Sequence, residues 1–380
     1  MTFNFDHWVD RSHTDSVKWH KYRDKDVIPL WVADTDFTSP PCVISALQAR
    51  VAEGVFGYGF APPALISLVV ARLRERYDWT IKPEWIVWLP GLVCGLNLAV
   101  RTCTTPEERS ILPSPLYPPF MQAALSEGRR YLAVPAQNVD NRWVTDFKTC
   151  ESSLEGNEKL LMLCNPYNPG GTVYRREELQ AQLDFAQRHD LFVCSDEIHC
   201  DLILEPGCEH IPFASLNEDA AQRSITLMSP SKTFNLAGLG ASMAIIPNDR
   251  LRHKFAHTAR GIVPHVNVLA YVAATAAYAE GDSWLQAQLE YLRGNRDLAF
   301  ARINAMPGLT LLPMEGTYLG WIDASAAELD SPYRFFLAAG VGLSDGRDFG
   351  NPQFVRINLG CQRALLEKAL DRMAAALAAR

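Results

Sequence analysis

The sequence predicts an α/β protein built on a mostly parallel sheet that helices cover on both faces, followed by a smaller α+β unit. Between about Trp85 and Pro247, short β-rich apolar runs alternate with longer segments of helical character, which is the pattern of strands joined by crossover helices. After about Ala305 the runs are shorter, and turn signals such as Met306-Pro-Gly308 separate them. This change of pattern marks the second unit.

Seven apolar runs are the candidate strands of a seven-stranded sheet in a three-layer large domain. They are Trp85 to Leu89, Ser110 to Leu112, Arg130 to Val134, Lys159 to Cys164, Leu191 to Ser195, Ser224 to Met228 and Ser242 to Ile246. Between the fourth and fifth runs, Leu179, Leu183 and Ala186 recur every three or four residues. This spacing puts one apolar face on a helix from Arg175 to His189, so the segment predicts a strand-helix-strand unit.

The rest of the chain predicts further helices and the division into domains. The stretch from Asp249 to about Ala305 is helical in character, and Arg363 to Arg380 closes the chain as an amphipathic helix. The first 45 residues are rich in Trp, Asp and Pro and have no clear period, so we expect them to wrap around another part. We therefore place a large domain at residues 46–284 and a small α+β domain at residues 1–45 and 285–380.

Composition narrows the class of protein. The 380 residues are 48% hydrophobic and 21% charged with a net charge of −7, which disfavours a disordered chain or a basic nucleic-acid-binding protein. There is no run of about 18 apolar residues and no leader pattern at the start, so no membrane segment or export is expected. Nine scattered cysteines without a Cys-x-x-Cys pair indicate reduced thiols in the cytoplasm.

Three loops with unusual polar residues each follow a predicted strand. They are Asn165-Pro-Tyr-Asn-Pro-Gly170, Ser195-Asp-Glu-Ile-His199 and Ser229-Pro-Ser-Lys-Thr-Phe-Asn235. In an open α/β sheet, ligands bind at the carboxyl ends of the strands, so these loops can converge on one crevice. The separations between the loops are long enough for crossovers to neighbouring strands.

Together the loops supply the groups that pyridoxal 5′-phosphate (PLP) requires. PLP needs a lysine for an imine, a carboxylate for its pyridinium nitrogen, hydroxyls for its phosphate and an amide for its phenolic oxygen. Asp196 would keep the ring nitrogen protonated. Lys232 would form the Schiff base and, once a substrate amine has displaced it, move the Cα proton as general base.

Further motifs carry a resemblance over nearly the whole chain. They are Pro29-Leu-Trp-Val-Ala-Asp-Thr-Asp-Phe37, Phe56-Gly-Tyr58, Ser114-Pro-Leu-Tyr-Pro-Pro-Phe120, His210-Ile-Pro-Phe213, Glu315-Gly-Thr-Tyr318 and Val355-Arg-Ile-Asn358. With the three loops, they resemble a fold-type I PLP enzyme of the class I/II aminotransferase superfamily. More narrowly, the sequence resembles the MalY/PatB group of cystathionine β-lyases, which are carbon-sulfur lyases.

The resemblance implies roles for five residues around the cofactor ring and the substrate. Lys232 is the Schiff-base lysine, Asp196 the pyridinium partner and Asn168 a hydrogen-bond donor to the ring oxygen. Tyr117 is the aromatic residue stacked on the pyridine. Arg356 grips the substrate α-carboxylate, which a planar guanidinium can hold bidentately.

The resemblance also implies how the phosphate is held. The backbone N–H groups of Leu92 and Val93, at a helix N-terminus, would bind it together with the Ser229 hydroxyl. Tyr58 stands where family members contribute a phosphate-binding phenol from a second subunit, which implies a homodimer with shared active sites. His199 replaces a tyrosine common in aminotransferases, and it either contacts the ring oxygen or is a structural histidine without a role in proton transfer.

Taken singly, most of these residues have simpler explanations. Asp196 alone would suit a helix cap, and Asn168-Pro-Gly170 alone would suit a turn. Tyr318 and Trp31 either line the substrate pocket or simply pack. The cysteines beside Asp196 lack metal-ligand spacing, so no metal site is expected. The ordered set of lysine, aspartate, asparagine and arginine favours the PLP site.

The resemblance predicts a β-lyase that cleaves the Cβ–S bond of L-cystathionine or a related L-cysteine S-conjugate and gives a thiol, pyruvate and ammonia. An aminotransferase of an L-amino acid is the first alternative, because the shared residues do not decide between elimination and amino-group transfer. A PLP-binding regulatory protein with weak lyase activity is the second. Its sign would be turnover far below ordinary enzyme rates.

Overall fold

The computed structural model describes residues 3–380, apart from the side chain of Lys148. Its strands are β1 Ile28–Pro29, β2 Ile86–Leu89, β3 Arg109–Ser114, β4 Arg130–Val139, β5 Arg142–Thr145, β6 Glu158–Cys164, β7 Phe192–Asp196, β8 Ser224–Met228, β9 Ser242–Ile245, β10 Thr310–Leu311, β11 Leu319–Asp323, β12 Val341–Gly342, β13 Ser344–Asp345 and β14 Phe354–Asn358.

The helices include those predicted from the apolar spacing. They are α1 Val17–His20, α2 Pro41–Ala52, α3 Pro63–Tyr77, α4 Leu92–Cys103, α5 Pro118–Ser126, α6 Phe147–Glu151, α7 Arg176–Arg188, α8 Glu218–Arg223, α9 Asp249–Ala259, α10 Val268–Glu280, α11 Asp282–Asn304, α12 Pro332–Ala338 and α13 Arg363–Ala378. The long helical stretch predicted after Asp249 is thus three helices, α9 to α11. Among the helices of residues 3–380, none has both the length and the apolar character needed to cross a bilayer.

The main sheet has the strand order β2-β9-β8-β7-β6-β3-β4-β5. From β8 through β7, β6 and β3 to β4, every neighbouring pair is parallel. The pairs at the two edges, β2 with β9, β9 with β8 and β4 with β5, are antiparallel. The central strands are buried on both faces, which explains why they appear in the sequence as nearly continuous apolar runs. The predicted α/β class with a mostly parallel sheet is confirmed.

The number of strands is a correction, because the main sheet has eight and not seven. All seven predicted strands are present, and β5 is the additional one. It pairs with the second half of β4 through a two-residue turn at Asp140 and Asn141, whose φ angles are 51° and 60°. Asp and Asn tolerate these positive φ angles better than other non-glycine residues. The half-exposed β4–β5 hairpin lacks the apolar pattern that marks the buried strands.

The C-terminal part contains a smaller antiparallel sheet in the order β10-β11-β14-β13. The N-terminal segment is tied to it, because β1 pairs in parallel with β12. Leu30 and Phe37 also belong to the same buried cluster as Leu343 and Leu359. The domain boundaries themselves stay a prediction.

Candidate active site

A cavity of about 190 Å³ opens at the carboxyl ends of β6, β7 and β8. The loops after these three strands bring residues that are far apart in the sequence to one place, as expected for the carboxyl edge of a parallel sheet. The cavity is lined by seven of the ten predicted site residues: Leu92, Val93, Tyr117, Asn168, Asp196, His199 and Lys232.

Asp196 is the last residue of β7 and is only 4% exposed. One carboxylate oxygen accepts the Ile198 N–H at 3.0 Å, and within residues 3–380 no side-chain donor reaches the carboxylate. Burial raises its pKa to about 7, and the nearby charge of Glu197 acts in the same direction. A buried carboxylate in this setting favours a cationic hydrogen-bond donor inside the cavity.

Lys232 reaches the cavity from the loop after β8, and its ammonium nitrogen donates to the backbone oxygen of Ala33. Burial lowers its pKa to about 8, and the charge of Arg356 acts in the same direction. The carboxylates of Asp34 and Asp196 oppose this decrease. The free amine, which is the form that acts as nucleophile or base, is therefore more populated near neutral pH than in an ordinary lysine.

Arg356 lies on β14 and is nearly fully buried. Its Nη1 donates to Asn168 Oδ1 at 2.9 Å, and its Nη2 donates to the Trp31 backbone oxygen at 2.8 Å. The Phe349 ring lies 4.7 Å from the guanidinium carbon, and the buried Nε has no hydrogen-bond partner among residues 3–380. Arg356 does not line the cavity itself but contacts Asn168, which does. Because Asn168 Oδ1 accepts from Arg356, the amide nitrogen of Asn168 stays available as a donor.

His199 is buried in the cavity wall, and in the part of the chain that the structure describes its Nδ1 has no hydrogen-bond partner. Burial and the positive charges of Lys232 and Arg356 lower its pKa to about 3. The imidazole is therefore neutral at physiological pH, which fits a hydrogen-bonding role better than proton transfer. Its ring packs edge-on against Tyr318 at a centroid distance of 5.9 Å.

The N-terminus of α4 faces the cavity without a capping side chain. Gly91 precedes the helix, and a Cβ added there would meet nothing within 4 Å. The N–H groups of the first turn, which include those of Leu92 and Val93, have no partners within the helix. An anion in front of this 12-residue helix would receive hydrogen bonds and a favourable dipole.

Tyr117 lines the cavity from the start of α5. It is the residue before the first helical position, and Pro118 and Pro119 follow it. Proline suits the first turn of a helix, where the missing N–H would have no partner, so this sequence fixes where α5 begins and where the Tyr117 ring enters. Burial raises the pKa of the phenol, so the hydroxyl stays protonated.

The structure does not bring two further predicted residues to the cavity. The Ser229 hydroxyl donates to the Ala241 backbone oxygen at 2.7 Å and accepts the Ser231 N–H at 3.0 Å. Ser231, in the same Ser-x-Ser-Lys motif, lines the cavity instead. Tyr58 is fully exposed and lies in a separate groove. The phosphate-binding roles of Ser229 and Tyr58 stay predictions.

The segment from Trp31 to Asp36 also borders the site, and the sequence predicts a candidate role only for its Trp31, which either lines the substrate pocket or simply packs. Its Ala33 lines the cavity and accepts hydrogen bonds from both Lys232 and Tyr318. The Asn235 side chain, in the Lys232 loop, hydrogen-bonds the backbone of this segment at Thr35. The N-terminal part of the chain therefore positions the lysine.

The residues present fit PLP. The buried Asp196 carboxylate, which no side-chain donor within residues 3–380 reaches, suits the pyridinium nitrogen, and Lys232 in the same cavity suits the imine. The uncapped N-terminus of α4 suits the phosphate, and Asn168 with the unpartnered Nδ1 of His199 lies ready for polar groups of the ring. These residues would hold the cofactor, and each supplies a group that its chemistry requires.

Comparisons with known proteins show the family to which the chain belongs. Residues 25–373 match the family described as aminotransferase class I and II. The chain is 36% identical to cystathionine β-lyase PatB of Bacillus subtilis, over 98% of this chain and 100% of that protein. The crystal structure of OvoB is 57% identical and covers 100% of both chains with a TM-score of 0.98. The PLP-bound C-S lyase from Staphylococcus hominis is 32% identical, covers 99% of this chain and 98% of its own, and has a TM-score of 0.93. The chain belongs to the class I and II aminotransferase family and, within it, to the MalY/PatB group.

Proposed function

We propose that this protein is a PLP-dependent carbon-sulfur β-lyase that acts on L-cystathionine or related L-cysteine S-conjugates. The products are a thiol, pyruvate and ammonia. The observation that carries the proposal is the placement of Lys232 and Asp196 in one buried cavity, in a chain whose full-length relatives include a cystathionine β-lyase. A small-molecule amino acid is the class of substrate that such a cavity can take.

Lys232 is the residue that would bond the cofactor and later move the substrate proton. When bound, PLP supplies an electron-accepting ring that stabilises negative charge on the substrate Cα. Once the substrate amine has replaced it, the free amine of Lys232 takes the Cα proton. Its lowered pKa of about 8 gives it a basic form near neutral pH, and the Ala33 carbonyl fixes the position of Nζ.

Asp196 and Arg356 would hold the reacting groups in place. The Asp196 carboxylate keeps a proton on the ring nitrogen, and the Arg356 guanidinium binds the substrate carboxylate. The electron pair of the former Cα–H bond then forms a Cα–Cβ double bond as the thiolate leaves from Cβ. Hydrolysis of the released enamine gives pyruvate and ammonia.

The proposed function is tested by supplying L-cystathionine to the PLP-loaded protein, first without and then with a keto acid. Elimination releases thiol and pyruvate without any keto acid. An aminotransferase would instead consume substrate only when the keto acid is present and would release no thiol. That second result would reject the lyase proposal.

Replacing Arg356 with lysine is expected to raise the KM for L-cystathionine by roughly 100-fold, with a smaller effect on kcat. Lysine keeps the charge but loses the planar pair of donors. The control is Arg347→Lys, because Arg347 is exposed and pairs with Asp345. Steady-state kinetics check the result, and an unchanged KM in the Arg356 variant would remove this residue from substrate binding.

We further propose that two subunits share each active site. Tyr58 and its neighbours Phe56 and Phe60 are all exposed, although such apolar side chains usually lie in contact with other groups. Tyr58 lines a groove between the segment before α3 and helix α10. It does not line the active-site cavity of its own subunit. A second copy placed against this face would bury the aromatic residues, and Tyr58 would reach the partner's phosphate.

Mixing two inactive variants tests the shared site. A Lys232→Ala chain keeps Tyr58, and a Tyr58→Ala chain keeps Lys232, so a hybrid dimer contains one site with both residues intact. We expect activity to appear when the two variants are unfolded and refolded together, well above the level of either variant treated alone. Sedimentation must show a dimer, and a monomer or the absence of complementation would contradict the proposal.

We also propose that the protein works in the cytoplasm. All nine cysteines of the described chain are free, and six of them are buried. Reduced, buried thiols are typical of proteins from that compartment.

A further inference from the structure

Glu197 and His210 form a buried pair directly behind Asp196. Both side chains have no exposed surface, and His210 Nε2 lies 2.9 Å from Glu197 Oε2. The other oxygen of Glu197 accepts the Ser195 hydroxyl at 2.8 Å and the Phe213 N–H at 2.9 Å. Neither member of the pair lines the cavity, and the proposed mechanism uses neither.

The backbone explains why the two adjacent carboxylates have such different surroundings. The Glu197 N–H donates to the Leu227 backbone oxygen, so the β7 direction continues through this residue. Successive side chains of an extended segment point to opposite sides. Asp196 therefore faces the cavity, whereas Glu197 points to the other side, where it contacts His210 and the Phe213 N–H.

The hydrogen bonds around the pair favour a net negative charge on it. Glu197 accepts hydrogen bonds from the Ser195 hydroxyl and the Phe213 N–H, and the tautomer of His210 with its proton on Nε2 supplies a third donor. These are the surroundings of an anionic carboxylate. His210 Nδ1 is buried, and none of the described residues hydrogen-bonds to it. A neutral ring with its proton on Nε2 leaves only an acceptor unpaired, whereas a protonated ring would bury an unpaired N–H donor, which costs more.

We propose that Glu197 and His210 are a positioning pair that acts through Asp196 to keep the ring nitrogen of the bound cofactor protonated. The inference rests on the proposed use of PLP and deepens it. The anion behind Asp196 raises the affinity of the Asp196–ring nitrogen pair for their shared proton. His210 holds that anion in place without neutralising it. One buried charge at the distance of an adjacent side chain is worth about tenfold in that equilibrium.

The test compares the affinity of the protein for PLP with its affinity for the 1-deaza analogue, in which a C–H replaces the ring nitrogen. In Glu197→Gln, the affinity for PLP should fall about tenfold, while the affinity for the analogue should change less than about twofold. Equilibrium dialysis of the apoprotein measures both values without any activity assay. An equal loss for both cofactors, or no loss for either, would overturn the proposal.

Two further variants separate charge from structure. His210→Gln keeps Glu197 charged and keeps a donor within reach, so the ratio of the two affinities should stay within about twofold of the wild type. A tenfold change in that ratio would overturn the proposal even if Glu197→Gln fails to fold. Glu158→Gln is the matched control, because Glu158 is a buried carboxylate that pairs with Arg109 away from the cavity.

The outcome is independent of the reaction catalysed. If the wild type binds PLP but releases no thiol from L-cystathionine, the lyase proposal fails, yet the affinity ratio still tests the pair. If Glu197→Gln has the same ratio of affinities for PLP and the 1-deaza analogue as the wild type, the pair does not keep the ring nitrogen protonated. The lyase proposal is unaffected by that result.

Discussion

Replacing Lys232 with alanine is expected to lower lyase turnover by at least about 1,000-fold, because the variant loses both the cofactor-bonding amine and the base that takes the Cα proton. The visible absorbance of the lysine-bound cofactor should disappear as well. Both effects follow from one atom, the lysine Nζ, which the Ala33 carbonyl holds in the cavity. Absorbance spectra and initial rates of pyruvate release check the two effects on the same preparation.

The control for this prediction is Lys159→Ala, which removes a surface lysine that pairs with Asp190. It should leave both the absorbance and the rate unchanged. Adding a small primary amine such as methylamine should restore part of the turnover of the Lys232 variant, because it replaces the missing base. A Lys232→Ala protein with more than a tenth of the wild-type rate would remove this lysine from the mechanism.

Replacing Asp196 with asparagine is expected to lower turnover by roughly 100- to 1,000-fold. An amide carries no charge and cannot keep a proton on the ring nitrogen, so the cofactor would accept electrons poorly. The affinity for PLP should fall with the turnover. Steady-state kinetics at saturating PLP separate the loss of chemistry from the loss of binding.

The same substitution should have the opposite effect on the stability of the apoprotein. Burial raises the pKa of Asp196 from 3.8 to about 7, so the folded apoprotein binds this proton more tightly than the unfolded chain. The contribution of Asp196 to stability therefore falls as the pH rises from about 4 through about 7. In Asp196→Asn this pH-dependent loss of stability is absent. At pH 8 the free energy of unfolding of the variant apoprotein in urea should therefore be at least as large as that of the wild type.

Asp201→Asn is the matched control for stability, because Asp201 is a buried carboxylate with a partner. It lies 2.9 Å from Arg72 and accepts hydrogen bonds from Tyr77 and Thr233. Removing one member of a buried ion pair costs about 3 to 5 kcal/mol, so this variant should be destabilised. If Asp196→Asn is destabilised to the same degree, Asp196 is a structural residue and not a poised cofactor ligand.

The buried strands could be predicted from the sequence because burial requires apolar residues, and a run of apolar residues is visible in the sequence. A central parallel strand is buried on both faces and is therefore mostly apolar, and residues 160–164 of β6 form such a run. The β4–β5 hairpin has no such requirement, because most of its residues are partly or fully exposed. Its only local signal is the Asp140-Asn141 turn, which is weaker than Asn-Gly or Asp-Gly.

The sequence predicts the part of the cavity that is formed by residues at the ends of predicted strands. Asn168, Asp196 and Lys232 each follow a parallel strand, and the structure places all three in its wall. The contact of Lys232 with Ala33 spans 199 positions in the sequence, and no local pattern indicates it. The Ser229 hydroxyl donates to the Ala241 backbone oxygen, and Ser231 of the same motif lines the cavity instead. Which of the two serines faces the cavity depends on tertiary contacts and not on the local sequence.

The measurement that tests the lyase account most directly is the ratio of thiol to pyruvate released from L-cystathionine by the PLP-loaded protein, with no keto acid present. A β-lyase should release one thiol for each pyruvate, and the Lys232→Ala variant should release almost none of either product. Loss of L-cystathionine without thiol, with amino-group transfer to an added keto acid, would contradict it and make the protein an aminotransferase.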